Sequence, residues 1–200
     1  MQTSTKSNKG QQTREQLLEV AFQQFTRNGF HGTSMRKIAE EAGLALGGIY
    51  NHFAGKDEML KAVILAYHPL TMIIPELAAA EGANGESLLR DAAWRFYQSI
   101  QSRPDLLNLL FIELIECRGK HISELIGELL PAALQLGQRL AASDDILAGH
   151  SPFVIIRFFV CMLIGYILTE SILGRIEFAA TSVGSLDDFL ELMLHGLMKK

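Results

Sequence analysis

Catalysis and ligand binding need particular side chains at workable spacings, and few such sets occur in this 200-residue chain. The sequence holds no Gly-x-Ser-x-Gly, no Walker loop and no His-Glu-x-x-His, so nucleophile, nucleotide-phosphate and metalloprotease chemistry lack their usual carriers. The Asp144-Asp145 pair reads as a solvated loop rather than an acid–base pair. Glu113, Cys117 and His121 are residue types that ligate transition metals and stand at i, i+4 and i+8. Gly119 is expected to end the helix between the last two, which leaves metal sensing a minor reading. Two cysteines, Cys117 and Cys161, are too few for a disulfide scaffold or a four-cysteine zinc site. No metal, no cofactor and no enzymatic activity are therefore expected.

The elements that would position these groups are helices. Leu17, Leu18, Ala21, Phe22 and Phe25 recur on one helical face, and Asn28-Gly29 ends that helix. Thr33 or Ser34 caps a second helix that carries Met35, Ile38, Ala39 and Ala42 inward and stops at Gly43. A short helix from about Leu46 to His52 follows, then one from Lys56 to about Tyr67, after which Pro69 and Pro75 break the pattern. Longer helices follow: one around Leu88–Ile100, one opened by Pro104, one from about His121 to Ala142, one opened by Ser151-Pro152 and one capped by Ser185. No sustained alternating pattern suggests a strand. The fold class is all-α, about nine helices, with a chain of this size burying roughly 70% of its unfolded surface. The division expected is a flexible tail (1–10), a first domain (11–55), a connecting helix (56–68) and a larger helical domain (69–200).

Composition narrows the partners. The chain is 48% hydrophobic and 20% charged with net charge −4, which excludes a disordered chain and a generally basic one. Residues 1–68 carry eight Lys/Arg against six Asp/Glu, whereas residues 69–200 carry ten against sixteen. Residues 1–10 hold no apolar run of the kind a signal peptide needs, and the longest apolar stretch, Phe158 to Leu168, is eleven residues long. A membrane span takes roughly 20. A cytoplasmic protein with no membrane partner is expected.

The stretch Thr33–Lys56 is the most informative. Ala39 is small enough for a close helix crossing, Gly43 suits a left-handed turn, and Leu44 and Ile49 plug the angle with Ile38 beneath. That order is the spacing of a helix-turn-helix; read alone, it also fits a plain helical hairpin. The flanking residues Phe25, Gly29, Phe30, Thr33 and Ser34, with Ile38, Ala39, Ala42, Gly43, Tyr50, His52, Phe53, Lys56 and Leu60, resemble the DNA-binding domain of the TetR family of transcriptional repressors over about residues 11–60. The sequence departs from that family at Ala45, Leu46, Gly47 and Gly48, where a hydroxyl cap and a basic residue or proline are common.

Helix N-termini bind phosphate, which assigns that task to Thr33 and Ser34. The resemblance implies further phosphate contacts from Tyr50, His52 and Lys56. Lys37 is a backbone contact, and Arg36, Leu46, Gly47, Gly48 and Asn51 are the base-reading candidates, Leu46 through a thymine methyl. The resemblance also implies a homodimer on an operator of double-stranded DNA, a carboxyl-terminal effector domain, and a four-helix interface from the last two helices. Dimer candidates are Phe159, Leu163, Ile167, Phe189, Leu190, Met193 and Leu197. Pocket candidates for a small, mostly apolar effector are Trp94, Phe96, Tyr97, Phe111, Phe158, Met162 and Tyr166, with Glu113 and Cys117 adding polarity. The alternative reading is a helical ligand-binding or scaffold protein that has lost specific DNA binding.

Overall fold

A computed structural model describes residues 3–143, 149–173 and 184–196. Among them are ten α-helices, one π-helical turn and no strand. The order is α1 (Thr3–Asn28), α2 (Met35–Glu41), α3 (Leu46–Ile49), α4 (Lys56–Tyr67), α5 (Pro69–Ala78), α6 (Gly85–Ser102), α7 (Asp105–Phe111), the π turn (Ile112–Glu116), α8 (Ile122–Ser143), α9 (Pro152–Leu173) and α10 (Leu186–His195). Helix α1 starts at Thr3, so the segment expected to be a loose tail joins the first turns of a helix. Pro69 opens α5 rather than ending order, because an initial proline gives up only an N–H that has no partner in the helix anyway. Pro75 lies inside the same helix.

The chain divides into two compact units, Met1–Thr71 with Arg103–Glu128, and Met72–Ser102 with Leu129–Lys200. The return of α7 and the π turn to the first unit has no signature in the sequence.

The core of the first unit is built at helical period. Leu17, Ala21, Phe22 and Phe25 of α1 meet Ile38 and Ala39 of α2, Ile49, Phe53, and Met59, Leu60, Val63 and Ile64 of α4, all at most 1% exposed. Helix α7 adds Leu106 and Leu109, and the Arg103 guanidinium stands 5.3 Å over the Phe22 ring. Truncating a buried phenylalanine such as Phe25 would cost roughly 3–5 kcal/mol.

In the second unit, α6 buries Leu88, Leu89, Ala92, Ala93, Phe96 and Ile100, and α10 buries Leu186 and Leu190. Gly137 of α8 lies so close to α9 that a Cβ there would stand 2.5 Å from the Pro152 carbonyl oxygen. Ser185 and Asp188 close a reciprocal capping box at the start of α10, as the sequence suggests.

Helix α9 is apolar on two faces. Its inner face buries Ile155, Ile156, Phe159, Leu163, Tyr166 and Ile167. Its outer positions Val154, Phe158, Cys161, Gly165, Thr169 and Ile172 recur every three or four residues and are exposed. The α4–α5 run, Lys56–Ala78, and α9 are each long and apolar enough to cross a membrane by length and composition alone. The first spends Met59, Leu60, Val63 and Ile64 on the core just described.

Candidate nucleic-acid interface

The corner between α2 and α3 is made by backbone hydrogen bonds that the sequence permits at one glycine. Gly43 takes φ +69°, its N–H donates to the Glu40 carbonyl, and the Leu44 N–H donates to the Ala39 carbonyl. This is the Schellman ending, which needs a residue tolerant of the left-handed region. The Gln16 amide donates to the Ala42 carbonyl, and Gln24 donates to Glu41 at 2.6 Å, so α1 holds the same corner from behind.

Helix α3 is one turn long, and Ala45 gives it no side-chain cap. Neither Gly47 nor Gly48 has positive φ. A Cβ at Gly47 would meet open space, and one at Gly48 would make only ordinary contact with Leu44. The fold itself requires neither glycine.

The loop before α2 is held from two sides. Lys56 Nζ donates to the Phe30 and Thr33 carbonyls at 2.8 Å each and stands 4.4 Å over the Phe30 ring. From the π turn, Glu116 accepts the Phe30 N–H at 3.2 Å and the His31 N–H at 2.9 Å, one on each carboxylate oxygen. Gly29, at φ +74°, leaves the room: a Cβ there would lie 2.7 Å from Glu116 Oε1. Glu116 was not among the expected site residues, because its partners are some 85 positions away along the chain.

The expected DNA-binding residues fall into two groups. Ser34, Arg36, Lys37, Leu46, Gly47, Tyr50 and Asn51 are exposed together on the outer side of the corner, with Gly48 and His52 half-buried beside them. Ser34 Oγ accepts the Lys37 N–H as the α2 cap, and Arg36 pairs with Glu40 at 2.9 Å while staying largely in solvent. Thr33 and Lys56 behave differently. The Thr33 hydroxyl is buried against the Gln24 and Gly29 carbonyls, and the Lys56 ammonium is occupied by the loop carbonyls. Both serve the chain's own backbone, since a buried loop carbonyl needs a donor.

The expected pocket residues are divided between the units. Phe111, Glu113 and Cys117 belong to the first, where Phe111 is exposed and Glu113 fully buried. Glu113 accepts the His121 and Ile122 N–H groups and lies 3.0 Å from His121 Nδ1. The helical run ends at Glu116, before Gly119, and Arg118 (φ 56°) and Gly119 (φ 71°) turn the chain back so that His121 returns to Glu113. Burial, with the Glu113, Glu116 and Asp57 charges, pushes the Cys117 thiol up to about 11, and burial lowers His68 to about 4.

In the second unit, Trp94, Tyr97, Tyr166 and Phe189 form a chain of rings at centroid distances of 5.8, 6.0 and 5.3 Å. Tyr97 donates to Glu170 at 2.9 Å; burial, then Glu170, raises Tyr166 to about 12. Phe96 is core, edge-on to Phe159. Met162 is half-buried, and Phe158 faces outward. An open groove of ≈ 470 Å³ is lined by Met72, Glu76, Asp91, Trp94, Arg95, Gln98, Ser99 and Ser102. It is more polar than the pocket expected, and of the expected walls only Trp94 reaches it. Of the expected dimer residues, Phe159, Leu163, Ile167 and Leu190 are buried within their own chain, and Phe189 and Met193 are half-buried. Leu197 lies outside the described residues.

Comparison with known proteins gives this corner a family. Residues 17–63 match the model of the bacterial regulatory proteins of the tetR family. The HTH-type transcriptional regulator UidR of Escherichia coli is 38% identical over 55 residues, 28% of either chain. The HTH-type transcriptional repressor KstR2 of Mycobacterium tuberculosis is 39% identical over 54 residues, 27% of either chain. The matched segment thus spans little more than a quarter of those relatives. The transcriptional regulator FadR of Bacillus subtilis, solved with stearoyl-CoA, is 19% identical, with a TM-score of 0.64 over 92% of this chain and 99% of that one. These relatives are regulators, not enzymes. Residues 17–63, a helix-turn-helix whose corner is buried inward and polar outward, thus match the DNA-binding segment of the tetR-family regulatory proteins.

Proposed function

We propose that the chain is a repressor that binds a palindromic operator as a homodimer in the cytoplasm and is released by a small, mostly apolar effector. The observation that carries the reading is the outer side of the corner. Arg36, Lys37, Leu46, Tyr50 and Asn51 are exposed together around two glycines that the fold does not need. Each glycine costs a helix up to about 1 kcal/mol, and close approach of α3 backbone to a groove floor accounts for that cost. Ser34, Lys37, Tyr50 and His52 hold phosphates; Arg36 and Asn51 read bases, and Leu46 meets a thymine methyl. Thr33 and Lys56 act indirectly, by fixing the loop from which α2 starts.

One such corner reads one half-site, and a second copy of the chain supplies the other. The outer stripe of α9 suits that contact better than the buried residues first expected. Val154, Phe158 and Ile172 flank Cys161 and Gly165, whose small size lets two helices approach. For the effector, the ring chain Trp94–Tyr97–Tyr166–Phe189 offers apolar walls with Glu170 as a polar group. FadR's stearoyl-CoA is an example, on this fold, of an amphipathic ligand with a long apolar acyl chain and a strongly anionic head.

Fluorescence anisotropy with duplexes drawn from the source genome tests the reading. A regulator shows one preferred site and a steep loss of affinity with salt. Tyr50→Ala is expected to weaken all sequences alike, whereas Arg36→Ala and Asn51→Ala change the preferred sequence. Equal losses on every duplex from all three would remove the base-reading roles. A chain that ignores DNA at low salt would be the ligand-binding or scaffold protein.

A further inference from the structure

We propose that Glu113, Cys117 and His121 form a binding site for one divalent transition-metal ion of the zinc class. The site is distinct from the groove and the ring chain of the second unit, and it stands whether or not the chain binds an operator.

Three observations converge on it. The first is placement. One carboxylate oxygen of Glu113, the Cys117 sulfur and one ring nitrogen of His121 lie within 4.8 Å of one another. Tetrahedral zinc with bonds of about 2.0–2.3 Å sets its ligands roughly 3.3–3.8 Å apart, so the three need move inward by only about 1–1.5 Å. The second is an unanswered polar atom. The His121 side chain is 4% exposed, and its Nε2 is buried with no hydrogen-bond partner. Nδ1 is the ring atom beside the Glu113 carboxylate, at 3.0 Å, so the ion takes the place of the proton between them; Nε2–H is then left with Asp57 Oδ1, 3.8 Å away, as the outer carboxylate that metal-bound histidines commonly have. The third is the backbone that assembles the set. The π turn Ile112–Glu116 is followed by Arg118 at φ 56°, a left-handed conformation uncommon outside glycine. Together they reverse the chain so that residues eight apart meet. Inserted π turns and left-handed non-glycine residues occur preferentially at functional sites.

The ligand set selects the ion. A thiolate, an imidazole and one carboxylate suit zinc, with water completing four-coordination, and suit magnesium or calcium poorly. With the carboxylate and thiolate ionised and the imidazole neutral, a divalent ion gives a neutral centre; the thiol proton leaves to water. Access is provided by an open groove of ≈ 310 Å³ lined by Asp57, Glu58, Lys61, Lys120, His121 and Ser123. Asp57 Oδ1 stands at its rim, 3.8 Å from His121 Nε2.

The test uses the full chain, reduced and stripped with chelator, titrated with Co²⁺ and then Zn²⁺. The expected result is one Co²⁺ per chain with a near-ultraviolet thiolate charge-transfer band, displaced by one Zn²⁺. Cys161→Ser leaves the band intact. Cys117→Ser abolishes it and lowers Zn²⁺ affinity at least about 100-fold. In the unmutated chain, Zn²⁺ protects Cys117 but not the exposed Cys161 from alkylation, a readout that needs no variant to fold. No stoichiometric uptake at micromolar metal would overturn the proposal. So would uptake without the thiolate band or protection of Cys117, which would assign the ion to the exposed Glu86, Glu191 and His195 group.

Discussion

Removing the Glu116 carboxylate should release the loop that sets the start of α2. Glu116→Ala deletes two hydrogen bonds from backbone N–H groups to a charged acceptor, at 3.2 Å to Phe30 and 2.9 Å to His31. Such bonds contribute about 1.5–3 kcal/mol each when sheltered. Glu116 is only half-buried and His31 is exposed, so water takes over part of the work and the pair is worth about 2 kcal/mol in all. If the loop must be in its present place for α2 and α3 to enter a groove, that figure appears as an affinity loss of roughly 30-fold. Glu116→Gln keeps one acceptor oxygen and loses the charge, and should fall between the two. The assay is anisotropy on the preferred duplex, with amide hydrogen exchange at Phe30 and His31 read in the free protein. Faster exchange at those two amides together with weaker binding is the expected pair of results. Affinity within twofold of the parent, with unchanged exchange, would refute the reasoning.

Three other outcomes follow from the geometry. Gly47→Ala adds a methyl group into open space, so the free chain should be as stable or more stable by up to about 1 kcal/mol in urea, while operator affinity falls; unchanged affinity would show that α3 backbone does not approach DNA closely. Cys161, exposed in the middle of the outer α9 stripe, should form a disulfide with the same residue of a second copy under mild oxidation, read as a covalent dimer on non-reducing gels; a chain that remains a monomer at micromolar concentration would remove α9 as the interface. Ser185→Ala breaks the capping box of α10 and should cost about 1 kcal/mol near neutral pH. Hydrogen bonds from Ser185 hold the Asp188 carboxyl below its ordinary value, so its contribution is complete above that ordinary value and shrinks as the pH falls below about 4. Melts of both chains at neutral and acid pH check it, and an equal penalty at both would contradict it.

What was legible in the sequence is what short-range periodicity encodes. The buried faces of α1, α2 and α4 follow from apolar spacing, and the α2–α3 corner follows from Ala39 and Gly43. Ser185 announced the start of α10, because a cap acts within three residues of itself. Long-range partners were not legible. Lys56 looks like a phosphate ligand at an unfavourable helix start until the loop carbonyls of Phe30 and Thr33 are seen to occupy it. Thr33 is similar: its hydroxyl turns inward to Gln24 and Gly29. The two apolar faces of α9 could not be told apart, since a helix apolar all round gives no phase; only packing reveals that Phe159 faces in and Phe158 out. Gly119 suggests a helix end between Cys117 and His121, but the sequence does not show that left-handed Arg118 and Gly119 then bring His121 back to Glu113.

The central claim is that two such corners, paired through a second copy of the chain, read DNA. Selection from a randomised duplex library with the purified full chain tests it most directly. The account predicts enrichment of an inverted repeat with half-sites about one helical turn apart, lost in Tyr50→Ala and weakened steeply by salt. No enriched sequence at low ionic strength, or a single unrepeated site bound by a lone chain, would contradict it.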